Sequence, residues 1–431
     1  MSDVLERVYR VFDPEPLQAD QEDLYVNLDS VRGQADVVGR LAKRIRLSKE
    51  RTCQLLAGHH GSGKSTELKR LQRELENGDK RFFVVFCEAK SELDLNDVDF
   101  PEVLVAIVYQ LARQLRERLG IELKPGYFKD RWERLKELLG TEVSFEGLEL
   151  DAGMVKIAAA IKSSPDARAK VRRAMEPDTG NLLHAANDVI GKATQELIKK
   201  EFHGLVILVD DLDKIVLRPH SVAECSTAEY LFIHRHAQLS AFECHTVYSM
   251  PLALAYSVQE QKIANLYGGR PPVIPMTRIT HCPPKRGTYK PGMDRFREVI
   301  AARLAEAGLD EADVFENNKV RDRLIKLSGG QPRELMILTR EAIVGGDLPI
   351  NDTAVDRAER EFRRAYVRQL RDEHWKIVAQ VGKNGTLKRT QSNDELVREL
   401  LDSRAILQYV NRDEWYGVNP LVAKPTPRKR K

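Results

Sequence analysis

The sequence predicts an α/β fold built on a parallel sheet with helices on both faces, and three observations carry that expectation. Gly58 to Ser65, GHHGSGKS, sits between a short apolar strand and a helix. Leu205 to Val209 is an unbroken apolar run that ends in Asp210, Asp211 and Asp213. Phe82 to Cys87 reads as a further strand between those two in sequence. Unbroken apolar strands belong to sheets covered on both faces, and carboxylates at the C-terminal end of such a strand lie where these sheets bind ligands.

Composition bounds the rest. A chain of 431 residues exceeds what one hydrophobic core usually serves, so two or three domains are expected. With 42% hydrophobic and 31% charged residues it reads as an ordinary soluble globular protein. The net charge of +4 is too small to make the whole molecule a polycation, so any nucleic-acid site is a local patch. Cys53, Cys87, Cys225, Cys244 and Cys282 form no CxxC pair and are expected to be reduced thiols. No window approaches ~18 uninterrupted apolar residues, and the first residues are charged throughout. The expectation is a cytoplasmic protein with no membrane partner.

The elements follow in order. Cys53 to Ala57 is the strand before the glycine-rich loop, and Ser65 to Glu76 is a helix with Leu68, Leu71 and Leu75 on one face. The loop satisfies G-x-x-x-x-G-K-[ST], the spacing of a phosphate loop. Gly58, Gly61 and Gly63 permit the backbone angles that turn successive N–H groups inward around phosphate oxygens. His59, His60 and Ser62 occupy its tolerant positions, and Thr66 follows, so 58–66 is the expected nucleotide cradle with no catalytic role for either histidine. Lys64 is placed to reach the β and γ phosphates and Ser65 to ligate Mg²⁺. Asp210 is the expected second Mg²⁺ ligand. Asp211 is placed to polarise the attacking water, with Asp213 as a substitute or a structural acid.

Phe82 to Cys87 makes this the additional-strand class of phosphate-loop fold, and Pro101 to Leu119 is a long helix opened by proline. Residues 120–203 exceed a tight connection and read as an inserted subdomain, alternating around Glu142 to Ile161 and charged from Asp166 to Arg173. Thr227 to Leu239 reads as a helix. There His234 and His236 face different ways, so they read as ordinary helix residues and not as zinc ligands.

Asn351 to Arg371 predicts an amphipathic helix, with Val355, Ala358, Phe362, Tyr366 and Leu370 on its apolar face. Arg357, Arg360, Arg364, Arg368 and Arg371 form a stripe that could track a phosphate backbone, or a solvated face paired with Asp356, Glu359 and Glu361. The last segment has winged-helix character: a helix through Trp375 to Val381, another from Ser392 to Arg404, then strands Ile406–Val410 and Trp415–Asn419 joined at 411–414. The second of these helices, in the recognition position, is rich in acids (Asp394, Glu395, Glu399, Asp402), which opposes major-groove docking. DNA contact would then fall to the wing or to the basic tail ending in Arg428 to Lys431.

On these motifs the chain resembles the AAA+/STAND branch of P-loop ATPases, including initiator-type members, and VDDLDK also looks like the KAP group. Arg32-Gly33-Gln-Ala-Asp-Val-Val-Gly-Arg-Leu is similar to the box that caps the adenine side. His245-Thr-Val-Tyr-Ser249 is similar to the strand that carries a polar sensor at its tip. Ser328-Gly-Gly-Gln-Pro-Arg333 is similar to the lid motif whose arginine reaches the γ-phosphate. The resemblance implies an ATPase core over residues 1–285, a helical lid over 286–350 and a linker helix with a winged-helix-like domain over 351–431. Many relatives place aspartate then glutamate where Asp210-Asp211 stands, so the shorter pair implies slow hydrolysis.

Three functions follow. The first is an ATP-hydrolysing switch that self-assembles or recruits a separate effector protein, with Arg270, Arg278 and Arg295 as candidate arginines for a neighbouring site. The second is an initiator-like ATPase on duplex DNA. The third is a small-molecule kinase, for which no acceptor-binding segment is recognisable.

Overall fold

The computed structural model describes residues 2–18, 20–33, 36–123, 150–175, 179–220 and 223–423. Its centre is a five-stranded sheet of β1 (Cys53–Gly58), β2 (Phe82–Glu88), β3 (Gly204–Asp210), β4 (His245–Pro251) and β5 (Val273–Ile274), in the spatial order β2-β3-β4-β1-β5. Every pairing is parallel. The strand β4 separates the phosphate-loop strand from the acidic strand, which is the arrangement of the additional-strand P-loop class. Registers such as Glu88 opposite Asp210 and Gly58 opposite Pro251 bring the C-terminal strand ends to one edge.

The alternation of side chains explains the layers. Leu56, Val84, Val206, Leu208 and Val247 face helices Val37–Leu47 and Lys64–Glu76. Leu55, Val85, Ile207 and Tyr248 face the other way, onto helix Phe100–Leu119. That helix starts one residue earlier than its proline suggests, because Asp99 and Glu102 form a reciprocal capping box.

Residues 150–199 differ from the expected alternating subdomain. They form helices Leu150–Ser163, Pro165–Met175 and Thr179–Lys199, and Ile157, Ile161, Val171, Val189 and Ile190 join the same core as β3 and Phe100–Leu119. The residues before Leu150 in the alternating stretch lie outside the described ones. Thr227 to Leu239 is not one continuous helix: a π-type turn covers Tyr230–His234, with Arg235 N bonded to Tyr230 O at 3.0 Å. This turn delivers Arg235 to the Asp99 carboxylate, with contacts of 3.0 and 2.8 Å.

The lid helices are Lys290–Glu306, Asn318–Leu327 and Pro332–Val344. They share one apolar core with the N-terminal helix Ser2–Val11, through Val8 and Phe12, although the sequence groups that helix with the sheet. The C-terminal module joins this core too, through Val397, Leu400, Ile406 and Leu421. Its winged-helix elements are helices Asp372–Asn384 and Asp394–Asp402 and the antiparallel hairpin β6 (Ile406–Asn411) and β7 (Asp413–Val418). The amphipathic helix ends at Arg368, not Arg371, so Arg371 leads into the next helix and pairs with Glu399. The helix expected from Ser392 is shorter, since Gln391–Asn393 is a single tight turn. The hairpin turn is tighter than 411–414, closing on Arg412 with φ 62°.

Candidate functional site

The phosphate loop leaves β1 at the C-terminal edge of the sheet. Gly61 and Gly63 take φ of 81° and 97°, which side-chain-bearing residues rarely adopt, and Gly63 caps the helix that begins with Lys64. Arg32 clamps the loop from outside: its guanidinium donates to Ser62 O at 2.7 Å and pairs with buried Glu67 at 2.6 Å. The Arg32-Gly33 box therefore acts on the loop itself, while Gln34 and Ala35 of the same box lie outside the described residues. Lys64 is buried. Its Nζ lies 2.9 Å from Gly58 O, 3.3 Å from His59 O and 2.8 Å from the Asp213 carboxylate.

The three acids converge at the end of β3, with ligand oxygens all within 4.8 Å of one another. Burial pushes the Asp210 carboxyl up to about 6, helped by its neighbours Asp213 and Asp211 and opposed by a hydrogen bond from Ser65. Burial opposes ionisation of Asp213, but Lys64, His60 and Lys214 together hold that carboxyl below its usual range. Asp211 has a left-handed backbone, φ 67°, and is ion-paired with Lys214. Ser249 is fully buried on β4. The register that sets Val209 opposite Tyr248 carries Asp210 beside it. Asp210 Oδ1 and Ser249 Oγ are both buried with no hydrogen-bond partner among the described residues. An orphaned carboxylate oxygen beside the Ser65 hydroxyl fits the donor set of Mg²⁺, a hard cation that prefers oxygen ligands.

A cleft of about 110 Å³ runs from Lys64, Ser65 and Thr66 to an apolar wall that includes Leu17, Val26, Leu28, Val299 and Met336. Leu17 N donates to Thr66 Oγ1 at 3.3 Å, so the N-terminal segment is tied to the loop. Arg333 lines the same cleft. A methyl group built on Gly61 would lie 3.3 Å from Arg333 Cβ, and the guanidinium stands 3.8 Å from Glu15. Arg303 also lines it; burial lowers its pKa to about 10, and its Nε has no partner among the described residues. The apolar wall and Arg303 escaped sequence reasoning, because each lies far along the chain from the loop and carries no local motif.

Both loop histidines are engaged. His59 is buried, and its Nε2 accepts the backbone N–H of Gln408 in β6 at 2.9 Å, which fixes the wing hairpin to the loop. Burial drives its pKa down to about 3, so it stays neutral. His60 Nε2 lies 3.0 Å from Asp213 O. Of the arginines considered for a neighbouring site, Arg278 is buried and donates to Val31 O at 3.1 Å, which removes it from that role. Arg270 is exposed and Arg295 half-buried, and they pair with Glu260 at 3.0 Å and Glu298 at 2.5 Å.

No family model matches the chain, and no curated protein sequence matches it. Among solved structures it is similar to the Walker-type ATPase of Pyrococcus abyssi, at 14% identity and a TM-score of 0.47, over 96% of this chain and 98% of that one. It is also similar to Cdc6p from Pyrobaculum aerophilum, at 14% identity and a TM-score of 0.39, over 96% and 94%. The ORC2 protein of Aeropyrum pernix, solved in ADPNP–ADP complexes, matches at 12% identity and a TM-score of 0.42, over 96% and 94%.

Proposed function

We propose that the chain is an AAA+-type ATPase that hydrolyses ATP slowly and uses the γ-phosphate to set a conformation read by a separate effector or by further copies of itself. The observation that carries this reading is the 2.8 Å pair between Lys64 and Asp213 inside the phosphate cradle. A γ-phosphate is the natural competitor for that lysine, and its arrival would release Asp213 and, with it, His60. Ser65 and Asp210 would hold Mg²⁺, which neutralises charge on the β and γ phosphates.

The chain's own residues divide the remaining work. Asp211 would orient the water that attacks the γ-phosphorus as ADP departs, and Ser249, adjacent to Asp210, would contact that water or the phosphate. Arg333, leaning on Gly61 from the lid, would stabilise the developing charge and close the lid. Two features favour a slow rate: Asp211 is one methylene shorter than glutamate, and it is held by Lys214. Purified protein should turn over ATP, and both Lys64→Ala and Asp211→Asn should abolish the turnover. Activity that survives both substitutions would remove the mechanism.

A second reading, action on duplex DNA, is favoured by one observation. Arg360, Arg364 and Arg368 are exposed and make no ion pair among the described residues, whereas Asp356 and Glu359 are engaged by Arg323, and Glu359 also by Arg363. The helix in the recognition position is not free for a groove, since its Arg398 pairs with Glu229 of the sheet domain at 3.0 Å. The basic tail 428–431 lies outside the described residues. Replacing the three arginines with glutamine should weaken DNA binding and flatten its salt dependence; unchanged binding would leave only the switch.

A further inference from the structure

Apart from the nucleotide cleft, the molecule has a cleft of about 670 Å³ between the sheet domain and the wing, a size that suits a small organic ligand. One wall carries Arg40 and Arg44 of helix Val37–Leu47, both exposed. Arg270 and Arg389 also line the cleft. The carboxylates that line the cleft are Glu260, already paired with Arg270 at 3.0 Å, and Glu414, which burial pushes toward its neutral form and which accepts from Tyr416. Arg44 makes no ion pair among the described residues. Arg389 gives Nε to Asp394 and Nη2 to Ala253 O, but its Nη1 is buried with no partner among the described residues. Two tyrosines, Tyr256 and Tyr416, line the same space.

We propose that this cleft binds a phosphate anion that carries an aromatic base. The guanidinium fork of Arg44 and Nη1 of Arg389 take the phosphate and the tyrosines take the base. The cleft is wired to the phosphate loop. Tyr256 Oη accepts from Gln408 Nε2 at 3.1 Å, and the backbone N–H of that same Gln408 donates to His59 at 2.9 Å. A ligand that shifts Tyr256 therefore acts on the loop through one residue of β6. Binding itself does not depend on the ATPase reading, and only this coupling rests on it.

The shared chemistry has two sources, a free nucleotide and the phosphates of a nucleic acid, and the test separates them. Equilibrium dialysis of the full chain with radiolabelled ADP counts bound equivalents, while a fluorescein-labelled oligonucleotide reports nucleic-acid binding. If the source is free nucleotide, wild type binds a second equivalent of ADP that Arg40→Glu/Arg44→Glu removes, and the Lys64→Ala chain keeps it. If the source is nucleic acid, one equivalent of ADP is bound throughout, and the double variant weakens oligonucleotide binding about tenfold or more. Arg44→Lys keeps the charge but loses the fork, and should fall between the two. A single ADP equivalent in both wild type and the double variant, with oligonucleotide binding unchanged, overturns the proposal.

Discussion

At the scale of single residues, the acidic motif is explained by its backbone. Asp211 sits in the left-handed region, where aspartate is tolerated far better than longer or branched side chains because its short carboxylate bonds locally. The aspartate in place of glutamate is therefore a fit to the turn as well as a shorter reach to water. Asp213 holds Lys64 within a site where both are almost fully buried. Asp213→Asn should lower the stability of the nucleotide-free protein by about 3–5 kcal/mol, since it leaves a buried ammonium without its partner. The same change should tighten ATP binding, because the competitor for Lys64 is gone; melting curves with and without ATP check both effects, and parallel losses would contradict the competition. Asp210, raised to about 6 in the fold, stabilises the apo protein fully below the unfolded carboxyl value, and that contribution is lost as pH rises through about 6. Mg²⁺ requires the ionised form, so Mg²⁺ affinity should weaken as pH falls through about 6, and calorimetric titration across that range tests it.

At the scale of elements, the Ser328-Gly-Gly-Gln-Pro segment shows how local signals and long-range contact combine. The helix Asn318–Leu327 ends, Gly329 and Gly330 take φ of 63° and 80°, and Pro332 opens the next helix, a sequence of events legible from residue types alone. What the residue types do not show is that a methyl group on Gly330 would fall 1.8 Å from Thr277 O, in the segment that follows β5. Gly330→Ala should therefore cost about 2 kcal/mol or more and loosen the lid from the sheet domain. Gly191, inside helix Thr179–Lys199 with open space around it, is the contrasting case: Gly191→Ala should add about 0.5–1 kcal/mol. Chemical denaturation of the two variants measures the difference. Strands and the long helices were readable because their apolar period is set by the layer they join. The alternating pattern expected around Glu142 to Ile161 gives way to helix Leu150–Ser163, because that stretch mixes small and apolar residues and its helical face is defined by Phe100–Leu119, far away in sequence.

At the scale of the whole molecule, the phosphate loop, the lid and the wing are one connected assembly. His59 accepts from Gln408, Tyr409 Oη donates to Gly329 O at 2.6 Å, and Arg404 pairs with buried Glu334 at 3.3 Å. The wing hairpin is thus an internal strut between loop and lid. His59→Ala should leave the Gln408 N–H unsatisfied at a cost of about 1–3 kcal/mol, and it should speed hydrogen exchange in β6 more than in the central sheet. Equal exchange in both regions would show that the contact carries no coupling. The sequence alone determined the parallel sheet, the phosphate loop and the acids that face it, because each is a local pattern of chemistry and period. It did not reveal that Asp213 rather than a solvent ion holds Lys64, that the loop histidines bind the wing hairpin and the acidic turn, or that the apolar wall of the cleft comes from the N-terminal segment and the lid. Those contacts join residues up to 349 positions apart, and only burial in a common interior brings such groups within hydrogen-bonding range.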